Sequence, residues 1–308
     1  MDLAVEQLLK LIEKRTELHL ACVFTCPGPK KRRSDAYLKV VRVVPSNIDV
    51  IVCNRKKTFL EKIKLYKPDL LLSIGYPWLL PEDLLKFPPL GALNFHNSHL
   101  PDKVGPNAFG VALINGDDNF KFCSHRMDGT FDTGAIMWKE TMPIAIDDYL
   151  DDESFWTTKL APVIFRMLEK SIDLAIAGEP GTPQVGKPTH AALFDESFRW
   201  IDWTEPALKI HNKVRSFFGH RDIPHGAFAK IEDEGHIRIT RTIPCSSPDK
   251  TKTPTDSGHT PDVIETDKKR PKLSSPGAVI SRNHEDNTFI ILCGDKPLKV
   301  LKWDKVLS

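Results

Sequence analysis

Residues 69–76 read DLLLSIGY, a run so apolar that a strand built from it must be covered on both faces. A sheet layered between helices provides that cover. The flanking segments agree. Upstream, KTFLEKIKLYK (57–67) has the three- and four-residue apolar spacing of a helix, and IDVIVC (48–53) and ELHLACVF (17–24) read as strands. From Leu3 to Arg15, Val5, Leu8, Leu9 and Ile12 fall on one helical face. Downstream, GALNFH (91–96) and FKFCSHRM (120–127) read as further strands, and Glu153 to Ala177 as a long helix with Asp151 or Asp152 as its cap. The alternation predicts an α/β domain with a parallel sheet wrapped by helices.

The stretch GEPGTPQVGKPTH (178–190) is dense in Gly and Pro and marks the best domain boundary. The expected division is 1–178, a linker at 179–194, and a second domain at 195–308. In the second domain a short helix around EPALKIHNKVRSF (205–217) precedes the strand-like segments GAFAKIE, HIRITRTI, GAVISR, TFIILC and KPLKVLKW. Short strands at such spacing predict a small β-barrel or sandwich. Between them, about 245–275, the chain has almost no large apolar residue and is expected to be a disordered loop. Its KKRPK (268–272), with acidic neighbours, reads as solvated linker.

Several function classes lose support. Lys and Arg (43) nearly balance Asp and Glu (41), so the net charge of +2 gives no overall attraction to polyanions, and any such attraction must be local. The six cysteines form no CxxC pair and no zinc spacing, which fits reduced structural thiols in a cytosolic or organellar compartment. No apolar run approaches the ~20 residues needed to span a bilayer, so no membrane role is expected.

The chemistry concentrates at NFHNSHLP (94–101). Asn94 and His96 are two apart and therefore project from the same face of a strand. They sit at its carboxyl end, where open α/β sheets bind ligands. The bland alternative is a polar turn that satisfies nearby backbone groups. Against it stands SHRMDGTFDTGAI (124–136), where Asp132 lies in a Gly-flanked loop that can be aimed back at the same strand end. An amide donor, an imidazole and a carboxylate together suit acyl-type transfer, with an oxyanion to stabilise and a proton to move.

These residues resemble the 10-formyltetrahydrofolate-dependent formyltransferase family. Its Asn-x-His strand, Ser-x-Leu-Pro turn, downstream Gly and Asp-x-Gly loop are matched by Asn94-Phe-His96, Ser98-His-Leu100-Pro101, Gly105-Pro106 and Asp132-Thr-Gly134. The resemblance implies Asn94, His96 and Asp132 as the catalytic trio, with Ser98 and Gly134 on the folate side. SIGYPWLLP (73–81) looks like the segment whose backbone binds the pterin ring, which nominates Trp78, Leu79 and Leu80 as pocket lining, with ordinary core packing as the alternative. The carboxy-terminal segments look like the barrel of methionyl-tRNA formyltransferase and its close relatives. The implied fold is α/β, a Rossmann-like parallel-sheet formyltransferase domain followed by a small OB-like β-barrel. The implied co-substrate is 10-formyltetrahydrofolate, with no metal. His125, seven residues before Asp132, reads either as touching the folate-binding loop or as a satisfied strand histidine, and His99 fills the variable position of the turn.

The resemblance implies a primary amine as acceptor, the amino group of methionyl-tRNA first. Lys30, Lys31, Arg32 and Arg33 stand where that subfamily carries a basic insertion that meets the tRNA acceptor stem, although a solvated loop is the plain alternative. Asp102 and His99 depart from the subfamily's Arg and Leu. SHRMD and HNKVRSF look like counterparts in sugar-nucleotide formyltransferases and in the formyltetrahydrofolate hydrolase/dehydrogenase domain. Amino-sugar nucleotides, hydroxyornithine, water and an inactive folate-binding relative therefore stay open. Family members usually begin with a short apolar strand, whereas this chain begins in the first helix, so a break in the sheet beside the pocket is expected. A monomer in the cytoplasm or a mitochondrion is expected, although Asp2 and Glu6 do not resemble a transit peptide.

Overall fold

The computed structural model describes residues 2–28, 36–53, 56–217, 225–245 and 275–306. Lys30 to Arg33 and nearly all of the 245–275 loop lie outside them. One unit, Met1–Leu193, contains α1 (Asp2–Lys14), β1 (Val23–Thr25), α2 (Ala36–Val43), β2 (Val50–Val52), α3 (Lys56–Tyr66), β3 (Leu71–Ile74) and α4 (Glu82–Leu85). It continues through β4 (Ala92–His96), α5 (Ala108–Asn115), β5 (Asn119–Arg126), β6 (Ile136–Pro143) and α6 (Ala161–Ile176).

The expected parallel pairing is present and is extended by antiparallel strands. β1 and β2 pair in parallel, and a second sheet runs β3-β4-β5-β6. In it β3 and β4 are parallel while β5 and β6 are antiparallel additions. The cause is local for the last pair: only residues 127–135 connect β5 to β6, too few for a parallel crossover, so the chain must turn back. Among the described residues no ladder joins β1 to β3, and the expected break in the sheet falls there. The two sheets meet instead through apolar side chains, with Phe24, Ile51 and Leu71 packed around Phe59, Ile63, Leu84 and Ala92.

Strand periodicity divides the side chains of β4 between two layers. Leu93 is fully buried with Met137 and Ala175, and Phe95 packs near Leu168 and Leu11 on the α1 and α6 side. Ala92 faces the other core, and Asn94 and His96 continue that face toward the strand end. The helix expected over 153–177 is interrupted at its start by a π-helical turn, Phe155–Leu160. Pro162 cannot donate to a carbonyl one turn back, and the Thr157 and Thr158 hydroxyls donate to the carbonyls of Glu153 and Ser154. α5, AFGVALIN, is buried over Ala108, Phe109, Gly110, Ala112 and Leu113, so it carries no polar stripe; Gly116 closes it at φ 71°.

The second unit comprises Phe194–Phe218 and His225–Ser308. It contains α7 (Ala207–Ser216) and five antiparallel strands: β7 (Ala227–Ile231), β8 (Gly235–Pro244), β9 (Val279–Asn283), β10 (Thr288–Leu292) and β11 (Pro297–Lys305). They run in the order β7-β8-β11-β10-β9, and among the described residues no ladder closes β7 onto β9. The inward face is apolar: Ala229, Ile237, Ile239, Ile291, Leu298 and Val300 are fully buried. Among the described residues no helix is long and apolar enough to cross a membrane.

Leu93 carries the packing directly beneath the strand end. Leu93→Ala is expected to cost about 2–5 kcal/mol in urea unfolding, from lost transfer energy plus the cavity left behind. A loss under about 1 kcal/mol would contradict the packing described here.

Candidate active site

The register of two strand pairs assembles the site. Asn94 stands beside Ser73 of β3 and directly opposite His125 of β5. Opposed residues of an antiparallel pair share a face, so the amide and the imidazole must meet. His125 is buried, and its Nδ1–H donates to the Arg126 carbonyl at 2.8 Å. In the neutral ring Nε2 is then an acceptor, and it takes a hydrogen from Asn94 Nδ2 at 3.1 Å. The same amide nitrogen lies 3.4 Å from Asp132 Oδ1, near the limit of hydrogen bonding.

His96 is oriented from its far side. Its Nε2–H donates to the carbonyl of Lys103 at 3.0 Å, which leaves Nδ1 turned toward the site. That nitrogen faces Asp132 Oδ2 at 3.6 Å, too long for a hydrogen bond but close enough for charge pairing. His125 Nε2 is 3.5 Å from the other carboxylate oxygen. The carboxylate thus lies among an amide and two imidazoles, with the His96 and Asp132 side chains 10% and 13% exposed. Burial by itself would raise the Asp132 pKa, but hydrogen bonding from His125 when its ring is protonated, the charge of His96 and the Gly105 backbone hold it below the usual carboxylate range.

The loop that delivers Asp132 is tightly drawn. Asp132 adopts a left-handed backbone, φ 57°. Two residues on, a Cβ at Gly134 would lie 1.9 Å from the Arg126 carbonyl oxygen, so only glycine fits where the loop crosses the end of β5. The Gln184 side chain donates to the carbonyls of both Asp132 and Gly134 at 2.9 Å.

The remaining sequence-nominated residues take different places. Ser98 is fully buried and its hydroxyl donates to the Asp102 carbonyl at 2.5 Å, closing the turn after β4. Leu80 packs into the core with Leu84 and Leu85. Trp78 and Leu79 are half-buried in the loop after β3. His99 donates from Nε2 to the Glu140 carbonyl.

The loop after β3 suits a heteroaromatic ligand. Among the described residues, the backbone groups of residues 76–79 have no hydrogen-bond partner. The buried Trp78 indole N–H also lacks a partner of good geometry; it lies against the Cys26 thiol, a weak acceptor. These partly exposed backbone donors and acceptors at a strand end could hold the polar edge of a ligand. Among the described residues no group of three or more His, Cys, Asp or Glu is arranged to hold a metal ion.

Gln184 and Lys103 carry no assigned chemistry in the sequence reading, and His125 stands there between a contact with the folate-binding loop and a satisfied strand histidine. The register that sets His125 opposite Asn94 is the signal that finds it; Gln184 lies 52 residues from Asp132 and carries no local signal.

Fold and site together define a group-transfer enzyme. The model for "Formyl transferase" matches residues 3–159, and that for "Formyl transferase, C-terminal domain" matches residues 194–305. The chain belongs to the formyl transferase family. Methionyl-tRNA formyltransferase of Acetivibrio thermocellus is 29% identical over 219 residues, 70% of each chain. That of Pelobacter propionicus is 30% identical over 213 residues, 67% of this chain and 66% of its own. Among solved structures, HypX from Aquifex aeolicus in complex with tetrahydrofolic acid superposes with a TM-score of 0.59 at 17% identity, over 94% of this chain but only 45% of that one. WlaRD, a sugar 3N-formyl transferase, superposes with a TM-score of 0.57 at 17% identity, over 98% of this chain and 94% of its own. At such identities the superpositions speak for the fold alone.

Because the folded carboxyl of Asp132 titrates below its unfolded value of about 3.9, it contributes stability that is fully present above that pH and lost as pH falls through the lowered value. The stability difference between wild type and Asp132→Asn should therefore shrink on acidification below about pH 4 in urea unfolding. A difference that grows there would contradict the depressed carboxyl.

Proposed function

We propose that the protein moves a formyl group from 10-formyltetrahydrofolate to a primary amine, with Asn94, His96 and Asp132 as its catalytic residues. The observation that carries this reading is the approach of the Asp132 carboxylate to within 3.6 Å of His96 and 3.4 Å of Asn94 at one strand end. The loop around Trp78 and Leu79 would hold the pterin. The folate supplies an activated formyl carbon when bound. Asn94 gives one amide hydrogen to His125 and directs the other at Asp132 Oδ1 across 3.4 Å, a contact long enough to be exchanged for the carbonyl oxygen as negative charge develops there. His96 offers Nδ1–H to the same oxygen, since its Nε2–H is committed to Lys103. Asp132 takes the proton that the attacking amine loses and returns it to the departing nitrogen, so no net proton remains on the protein. Ser98 and Gly134 act through the backbone they shape.

The amino group of methionyl-tRNA is the acceptor that the matched relatives favour through their names. The segments SHRMD and HNKVRSF, which resemble counterparts in sugar-nucleotide formyltransferases, favour an amino-sugar nucleotide as the second reading. Lys30, Lys31, Arg32 and Arg33, outside the described residues, are the proposed phosphate contacts for tRNA.

Formyl release from 10-formyltetrahydrofolate should fall about 100-fold in Asn94→Ala, the scale of losing one oxyanion donor, and at least as far in Asp132→Ala. Equal traces from wild type and both variants would instead identify an inactive folate-binding relative. In competition among initiator Met-tRNA, an amino-sugar nucleotide, hydroxyornithine and water, tRNA should be formylated fastest. Replacing Lys30 through Arg33 by Ala should then weaken acceptor binding and flatten its salt dependence. An unchanged salt slope would remove that loop from tRNA recognition.

A further inference from the structure

Neither half of the His96–Asp132 contact is fixed by the sheet alone. Asp132 lies in the loop between β5 and β6, and the carbonyl that orients His96 belongs to Lys103, in the turn beyond β4. Both residues have left-handed backbones, at φ 57° and 54° respectively, a conformation that non-glycine residues keep only when their surroundings impose it.

Both are gripped by one segment, the run of chain from 182 to 191 that reads in sequence as a plain linker. It is fastened to the start of β6 by a pair of 2.8 Å backbone bonds between Thr182 and Ile136. Gln184 then spends both hydrogens of its amide on the carbonyls of Asp132 and Gly134. Five residues later Thr189 takes hold of the other turn. Its Oγ1 accepts from the Lys103 N–H at 2.8 Å and donates to the Asp102 carboxylate. Its backbone N–H donates to the Pro101 carbonyl at 3.1 Å, and its own carbonyl accepts from Val104 at 2.8 Å. The buried ammonium of Lys103 completes the turn between Asp102, at 2.7 Å, and Asp117, at 2.9 Å.

We infer that residues 182–191 form a strap that sets the spacing between Asp132 and His96, with Gln184 and Thr189 as positioning residues for formyl transfer. The inference rests on the catalytic trio proposed above. The strap touches no reacting atom. It acts by holding two strained turns, one on each side of the 3.6 Å gap between imidazole and carboxylate. The residues between the two grips, Val185 to Lys187, are exposed, so between its anchors the segment is held by hydrogen bonds, and Ala191 buries its far end.

The test uses the full chain with Gln184→Met, which keeps the length of the side chain and removes both donors, and Thr189→Val, which keeps its shape and removes the hydroxyl. Thr189→Ser serves as the conservative rescue. Misplacement of the carboxylate or the imidazole should lower kcat about 10- to 100-fold while KM for 10-formyltetrahydrofolate stays within about twofold. Thr189→Ser should recover most of the rate lost in Thr189→Val. Hydrogen exchange followed by mass spectrometry should quicken around residues 130–134 in Gln184→Met and around 102–104 in Thr189→Val, with β4 and β5 unchanged. Unaltered kcat in both variants, a loss confined to KM, or faster exchange across the whole sheet would overturn the strap. If the wild type transfers no formyl group, the proposed function fails, and the exchange comparison alone decides the strap: local quickening supports it, and unchanged exchange at both loops overturns it.

Discussion

The site depends on keeping a carboxylate charged where water is largely excluded. Burial alone would drive Asp132 toward its neutral form. What opposes it is a set of groups from different parts of the chain: His125 from β5, His96 from the end of β4, and the backbone at Gly105. None of these is near Asp132 by virtue of a regular helix or ladder position. The antiparallel turn-back of β5 onto β4, the glycine at 134 and the bonds from Gln184 are the devices that bring them together.

Much of this arrangement was legible in the sequence because it obeys short periods. A period of two places Asn94 and His96 on one face, and the apolar positions of α3 and β4 mark their cores, whereas α1 buries Ala4, Gln7 and Leu11 rather than the expected Val5, Leu8, Leu9 and Ile12. Where the period failed, so did the reading. α5 is apolar on every side and shows no stripe, and β6 follows so closely on the Asp132 loop that it reads as its continuation. The Pro162 break is visible in sequence, yet its outcome, a π-helical turn rather than a helix end, depends on threonine hydroxyls that satisfy nearby carbonyls. Asp132 was nominated by motif, but its approach to His96 required coordinates. His125, Gln184 and Thr189 act across 31, 52 and 86 residues respectively, distances over which one sequence carries no pairing signal. The Leu80 side chain packs in the core, which leaves only its backbone to face a ligand.

The mixed sheet also bears on how the fold supports chemistry. Parallel strands β3 and β4 present their carboxyl ends together, giving the loop around Trp78 and the trio a common edge. The antiparallel strands then deliver His125 from the opposite direction, a supply a purely parallel sheet would not provide. The break between β1 and β3 leaves the Trp78 loop next to strands held by apolar packing, not by a continuous ladder. Family membership follows from matches to both halves of the chain.

In the proposed chemistry Asn94 and Asp132 work on one carbonyl as a unit. A double-mutant cycle on the single-turnover rate of formyl transfer, with Asn94→Ala, Asp132→Asn and the pair combined, tests it most directly. Groups that act together lose their effect together, so the double variant should be scarcely slower than the slower single one. Rate losses that simply multiply would contradict the account, because they would mean that the amide and the carboxylate act independently.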